Sequence, residues 1–318
     1  MMPSKNNLSF SEQLQNTDFL HPEFEKEKLI FSTSGTPGWI HFGANDGCML
    51  PAFLIQNLIE KNETDCGLLL AEARHFSFID NIIEKLDNNG ICLTKKTDSH
   101  IEKKVISSVV ESLKADISLF PKDWDRLVHV FRNPSLQIVS FSLGSNSYSI
   151  YGTGNKLISC YEKDCGNEPD KAHTELGKIT ALCYERFLAG EYPLAMVSFD
   201  DCPKNGSRLN EAVVRIAREW EERGKVFTGF SGWLNEPEII AFPWTKIKKT
   251  NDDELCRSAL IDALPEDVIK MLENNKPPLL IRDENLKIYI EDDFPNGRLP
   301  MEKVGVVFSS RDEIVSIL

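Results

Sequence analysis

Four polar groups in this chain each close an apolar run, and they carry its chemistry. Gly43-Ala44-Asn45-Asp46-Gly47 follows residues 39–42, Glu72 closes 67–71, Ser142 closes 136–141, and Asp200-Asp201 follows 194–199 with Asn205-Gly206 close behind. A glycine turn between a short apolar strand and an apolar helix is where a dinucleotide-binding protein places its phosphate loop, because the helix N-terminus attracts an anion. Gly43 can make the tight turn of such a loop. Asn45 stands where the second glycine of G-x-G-x-x-G is expected; it tolerates positive φ, but its side chain takes space that a pyrophosphate would use. Asp46 adds a negative charge beside that anion, and Gly47 restores some freedom between the expected positions. On these residues alone a structural turn is at least as good a reading as a cofactor site. Glu72 adds weight to the cofactor, since an acid at the end of the second strand can take adenosine ribose hydroxyls. It lies 29 residues beyond Gly43, against the usual ~20. An acid there would repel a 2′-phosphate and favour NAD over NADP.

These groups need a frame. Residues 39–43, 67–72, 136–142 and 194–200 read as buried strands ending in polar residues. Helical periodicity over 51–60, 76–86, 124–131, 171–188 and 207–223 separates them. Strand alternating with helix predicts an α/β fold with a mainly parallel, doubly wound sheet, whose ligands sit beyond the carboxyl ends of the strands. Residues 91–98 and 103–110 are expected as two antiparallel strands at one edge, and 279–291 as a hairpin around Asp283-Glu284-Asn285. Residues 1–37 read as a polar lead-in with one short helix. Beyond 225 the pattern weakens into loops and short helices.

Composition narrows the function. Of 318 residues 41% are apolar and 27% charged, with a net charge of −13. That balance argues against a nucleic-acid partner, which needs clustered Lys and Arg. The basic cluster Lys246-Ile247-Lys248-Lys249 reads as a solvated turn. No apolar run approaches the ~20 residues that span a bilayer, and the first residues lack the apolar core of a secretory signal. Eight scattered cysteines, of which only Cys160 and Cys165 lie close, suit reduced thiols in the cytoplasm and give no expected metal site. His41 reads as a packed side chain, His75 as a loop residue following the ribose acid, on the side where adenine would lie, and Asn205-Gly206 as the cap of the helix from Ser207.

Several stretches together resemble one family. IHFGA (40–44), GLLLAEARHFSFID (67–80), 124–142, ALCYERFLAGEYPLAMVSFDDCPKNGSRL (181–209), IAFPW (240–244) and EDDFPNGRLPMEKVGVVF (291–308) are similar to the mannitol dehydrogenase family of polyol and hexuronate oxidoreductases, in its fructuronate/mannonate branch. The resemblance implies a Rossmann-type NAD(P)-binding domain, here 38–290, followed by a helical substrate domain of which 291–318 would be the start and the rest largely absent. It implies metal-free hydride transfer between NAD(P) and a polyol or sugar acid. The cofactor would touch Gly43, Ala44, Asn45, Asp46, Gly47, Glu72 and Ser142, with Asp201 and Asn205 on the substrate side.

The chain also departs from that family's pattern. The family's general acid/base is a lysine in K-x-x-x-x-N-x-x-H, and no such pattern occurs in these residues; by the spacing from FPNGR, Leu318 falls a few residues short of that lysine. The family's G-A-G-N reads Gly43-Ala44-Asn45-Asp46, its T-x-T-E-x-G-Y reads Ser142-Leu143-Gly144-Ser145-Asn146-Ser147-Tyr148, and its Asp-Asn pair reads Asp200-Asp201. M-I-D-K-I-T-P after the Phe-Pro-Trp has become Thr245 to Thr250. A carboxylate at 201 only accepts hydrogen bonds and would oppose a developing oxyanion. The expectation is an impaired oxidoreductase, its missing part supplied elsewhere, as by a separately encoded C-terminal fragment. A non-catalytic scaffold or binding module is the alternative. Arg298 would meet a substrate carboxylate or phosphate only with the second domain present, and otherwise form a surface salt bridge.

Overall fold

The computed structural model describes residues 18–29, 38–43, 47–97, 100–144, 146–248, 279–284 and 286–317. The first strand, β1 (Gly38–Phe42), leads into helix α1 (Met49–Glu60) and strand β2 (Leu68–Glu72). Short helical turns over 76–86 precede β3 (Gly90–Thr97), β4 (His100–Ile106) and β5 (Val109–Lys114). Then come α2 (Pro121–Phe131), β6 (Leu136–Phe141), α3 (Ser159–Gly166), α4 (Glu175–Gly190), β7 (Leu194–Ser198), α5 (Asn205–Glu222) and α6 (Phe230–Leu234). The remaining elements are β8 (Ile240–Ala241), β9 (Thr245–Lys248), β10 (Leu279–Asp283), β11 (Lys287–Glu291), β12 (Val306–Ser309) and α7 (Arg311–Ser316).

Six strands form the central sheet in the order β5-β2-β1-β6-β7-β8. All five pairings are parallel. Numbered by appearance within the sheet this is 3-2-1-4-5-6, the order of a dinucleotide-binding doubly wound fold. The run of apolar residues in β1, β2 and β7 follows from burial on both faces. Trp39, Leu68, Leu70, Ile138, Ala195 and Val197 enter one hydrophobic cluster, while Ile40, Phe42, Leu69, Val139 and Met196 enter the other. Helices α2, α4 and α5 cover the second cluster through Trp124, Leu127, Leu182, Val213 and Trp220.

Helix α1 lies on the first face, and ten of its twelve residues are buried. It is enclosed because two small sheets pack beyond it: β10-β3-β4, and β12-β11-β9. This corrects several expectations. The antiparallel pair β3–β4 is not an edge of the central sheet but part of a separate one, joined by β10 running parallel to β3. The central sheet's edge beside β2 is β5, whose residues the expected strand 103–110 split. The expected hairpin at 279–291 is two strands of different sheets: β10 pairs with β3, and β11 with β9 and β12. Residues 245–248 are not a solvated turn but the strand β9. The division expected at residue 290 lies inside β11. Within the lead-in, residues 26–28 form a 3-10 turn, Phe19 is buried, and Leu20 bridges to the β4 strand through Lys103 and Val105.

A buried cation fixes the amino ends of the central strands. Arg186, fully enclosed on α4, donates to five carbonyl oxygens: Phe131 at 2.8 Å, Asn133 at 2.7 Å, Leu136 at 3.0 Å, Tyr192 at 2.9 Å and Pro193 at 2.6 Å. Burial lowers its pKa to about 10, which leaves it charged at neutral pH. It thereby ties the ends of α2 and α4 to the starts of β6 and β7.

Candidate nucleotide-binding site

Because the six strands are parallel, their carboxyl ends share one rim. The chain leaves β1 toward α1 on one face and leaves β6 toward α3 on the other. Adjacent strands whose loops part in this way open a crevice at the switch point of the sheet. Gly43 stands at its mouth with φ +110°, and its N–H donates to Ala71 O at 3.0 Å. A Cβ at Gly43 would come within 2.4 Å of the Ser142 carbonyl oxygen, and one at Gly47 within 2.2 Å of Ser142 Oγ. Glycine is therefore required at both positions by close approach, at Gly43 also by its backbone angle. Ser142 is held by its own N–H, which donates to Phe42 O at 2.9 Å. Its Oγ is buried and has no hydrogen-bond partner among the described residues. Ala44, Asn45 and Asp46 lie outside the described residues.

At the neighbouring tip Glu72 is only 2% exposed. Its Oε1 accepts from the N–H groups of Arg74, at 2.9 Å, and His75, at 3.1 Å, which shapes the turn leaving β2. Lys178 of α4 stabilises that turn from beneath. It donates to Ala73 O at 2.8 Å, pairs with Asp116 at 2.9 Å and lies over the Phe76 ring at 5.0 Å. The His75 side chain is exposed.

Under the crevice runs a buried polar line. Trp39 Nε1 donates to Ser140 Oγ at 2.7 Å, and His41 Nδ1 lies 2.7 Å from the same oxygen. With Trp39 as its donor, the serine's hydrogen is free to point at Nδ1, which assigns the ring proton to His41 Nε2; that nitrogen is buried, with no well-formed hydrogen bond among the described residues and the Gly43 backbone near the ring. Burial lowers the imidazole pKa from its ordinary 6.5 to about 3, so His41 is neutral. It is a packed residue, stacked obliquely at 6.4 Å on Phe199.

The tip of β7 divides three residues that the sequence groups together. Asp200 turns toward the loop after β6: Oδ1 accepts from Gly144 N–H at 2.8 Å, and Oδ2 from Leu143 N–H at 3.1 Å and from the Tyr148 hydroxyl. Asp201 points to solvent and pairs with Lys246 at 3.2 Å. Asn205, 1% exposed, turns inward. Its amide nitrogen reaches Ser198 O at 3.2 Å, Asp200 O at 3.1 Å and Thr245 Oγ1 at 2.8 Å, and its Oδ1 accepts from Thr245 N–H at 3.1 Å. The expected cap is thus a clamp: α5 begins at Asn205 itself, and the side chain joins β7 to β9. Gly206 is required there, since a Cβ would meet Phe242 O at 2.2 Å.

The structure therefore brings Gly43, Gly47 and Ser142 together, with Glu72 at the adjoining tip, and separates Asp201 from Asn205. A glycine cradle, a buried hydroxyl without a partner among the described residues, and an accepting carboxylate at the adjoining strand tip together fit a dinucleotide. In the sequence Tyr148 and Thr245 enter only as members of altered family stretches, neither with a role of its own; the match of Tyr148 to the tyrosine of T-x-T-E-x-G-Y is the signal for the first. Arg298 makes the surface contacts expected of it, pairing with Asp292 at 2.9 Å and Glu302 at 2.8 Å while stacked 3.5 Å from the Phe308 centroid. Among the described residues no three metal-ligating side chains converge, and no helix is long and apolar enough to cross a membrane.

No family model matches the chain. A D-mannonate oxidoreductase of Thermotoga maritima is 34% identical over 288 residues, covering 88% of this chain and 52% of the relative. A mannitol 2-dehydrogenase of Cereibacter sphaeroides is 26% identical over 61% of this chain and 38% of its own length. A polyol:NADP oxidoreductase of Gluconobacter oxydans is 25% identical over 68% and 42%. The chain thus spans about half the length of the curated relatives it matches. Among solved structures, Pseudomonas fluorescens mannitol 2-dehydrogenase, a ternary complex with NAD and D-mannitol, superposes with TM-score 0.69 at 18% identity over 92% of this chain and 55% of that one. A substrate-free D-sorbitol dehydrogenase gives 0.70 at 18%, over 93% and 57%. These likenesses bear on the fold, which is the Rossmann-type α/β fold expected. Sequence kinship along most of the chain and the shared architecture lead to one conclusion: the chain belongs to the mannitol dehydrogenase family of polyol and hexuronate oxidoreductases.

Proposed function

We propose that this chain is the cofactor-holding part of an NAD-dependent oxidoreductase acting on a polyol or hexuronate of the mannonate/fructuronate kind. The observation that carries the reading is the approach of Gly43 and Gly47 to Ser142 at the switch point, where only hydrogen atoms fit between loop and strand end. The cofactor, when bound, supplies the hydride-accepting ring. The chain's own residues do the holding. Gly43 and Gly47 line the pyrophosphate side, and the Ser142 hydroxyl, without a partner among the described residues, donates into the crevice. Glu72, oriented by the Arg74 and His75 amides, meets the adenosine ribose and disfavours a 2′-phosphate. One relative is named for NADP, so this preference is read from Glu72 and not from the family.

Asp201 and Asn205 stand at the family's substrate-side positions. With its amide committed to Thr245 and β7, Asn205 acts on substrate through the backbone it positions. Asp201 faces outward beside Lys246. Deprotonating a substrate hydroxyl needs a general base, and loss of one costs ~10²–10⁴-fold in rate. No K-x-x-x-x-N-x-x-H occurs in these 318 residues. We infer that the group comes from residues outside them, in continuation or in a separately encoded fragment, and that the setting is the cytoplasm, where the scattered thiols stay reduced. The carboxylate at Asp201 favours a second reading, a binding module that keeps the scaffold without the reaction.

The test is NADH oxidation by the purified 318-residue chain with fructuronate or fructose. The proposal expects no turnover above the uncatalysed rate, together with NADH binding. Turnover by the unaided chain contradicts the placement of the base elsewhere; absence of NADH binding supports the module reading.

A further inference from the structure

The surroundings of Asp200 are uncommon for a half-buried carboxylate. All its donors are neutral: the N–H groups of Gly144 and Leu143, at 2.8 Å and 3.1 Å, the Tyr148 hydroxyl, and the Ser198 hydroxyl at 3.5 Å. Among the described residues it forms no ion pair. Its neighbour Asp201 differs in this respect, having Lys246 at 3.2 Å. The cation nearest in sequence on α5, Arg208, is turned to Ser149 Oγ at 3.3 Å. Tyr148 is buried and shares its hydroxyl with Ser198 at 2.8 Å. Burial and the Asp200 charge push its phenol well above the ordinary range, so it remains a donor. Neutral donors orient a carboxylate without cancelling its charge.

The place of that charge gives it a use. Asp200 follows β7 and grips the loop after β6, so it sits on the half of the crevice built by β6, β7 and β8. In a doubly wound dinucleotide fold each half of the sheet takes one mononucleotide. Glu72 marks the adenosine half, which leaves the nicotinamide to the half where Asp200 stands. The two forms of the cofactor differ there by one unit: the oxidised ring is a cation and the reduced ring is neutral.

We propose that Asp200 sets the redox preference of the site, its uncompensated negative charge favouring oxidised NAD⁺ over NADH. This rests on the reading that the cofactor lies at the switch point. A unit charge several ångströms from a half-shielded cation changes its binding about tenfold.

The experiment measures dissociation constants for NAD⁺ and NADH with the 318-residue chain, Asp200→Asn and Tyr148→Phe. Wild type is expected to bind NAD⁺ at least as tightly as NADH. Asp200→Asn is expected to weaken NAD⁺ about tenfold relative to NADH. Tyr148→Phe removes a donor but keeps the charge, and is expected to leave the ratio of the two constants unmoved even if both weaken. Equal change of both forms in Asp200→Asn reduces the residue to a support for the loop and overturns the proposal. A wild-type preference for NADH overturns it without any variant, should Asp200→Asn fail to fold. Binding of neither form to folded wild type fells the cofactor reading itself, and this proposal with it.

Discussion

At the scale of single residues, buried polar groups do the most specific work. Arg186 gathers five carbonyls at the end of α2 and around the starts of β6 and β7 on one buried cation. His41 makes a prediction about acid stability. Folded, it stays neutral down to about pH 3; unfolded, it takes a proton near its ordinary 6.5. Its contribution is therefore whole above pH 6.5 and is lost as the pH falls toward 3. Between pH 7 and pH 4 the linkage amounts to about 3 kcal/mol. Urea unfolding of wild type and His41→Gln at both pH values checks it: the variant is expected to lose less stability on acidification. Identical losses would mean that the imidazole is protonated without cost where it lies. Sequence showed His41 as a strand residue among apolar neighbours, which was enough to read it as packed. It did not show Ser140, ninety-nine positions away, as the partner that fixes its tautomer.

Among the elements, the start of α5 is the most constrained. Replacing a helical glycine by alanine ordinarily stabilises by ~0.5–1 kcal/mol. Gly206→Ala is expected to do the reverse and cost ~2 kcal/mol or more, since its Cβ would lie 2.2 Å from Phe242 O, a backbone atom that cannot swing away. Gly232→Ala in α6, where nothing lies within 4 Å, is expected to be neutral or stabilising. Thermal melts of the two variants give the comparison, and a stabilising Gly206→Ala would show that α5 and the 242–245 segment are not in contact. The same region shows why some elements were readable and others not. β1, β2, β6 and β7 are apolar runs with polar endings because both their faces are covered. β5 carries Glu111, Ser112 and Lys114 because it is an edge, and it was split between strand and loop. β9 reads Thr-Lys-Ile-Lys and buries one side only, so its lysines suggested a turn. β10 and β11 were seen as strands, but periodicity carries no information on which sheet a strand joins.

For the whole molecule, strand order decides the site. Alternation of strand and helix predicts a parallel sheet, and the order 3-2-1-4-5-6 then puts Gly43, Glu72, Ser142 and Asp200 on one rim with a crevice between β1 and β6. The identities of these residues were legible; their division of labour was not. Asp200 and Asp201 are adjacent in sequence, yet one holds a loop and the other meets Lys246 at the surface. Asn205 resembled a cap until Thr245, forty residues on, proved to take its amide. The most direct test of the central claim is titration of the folded 318-residue chain with NADH, read by quenching of tryptophan fluorescence. A dinucleotide seated at the switch point predicts saturable binding in the micromolar range, lost in Gly43→Val, whose side chain would collide with Ser142. No binding at millimolar NADH, or equal binding by Gly43→Val, would contradict it.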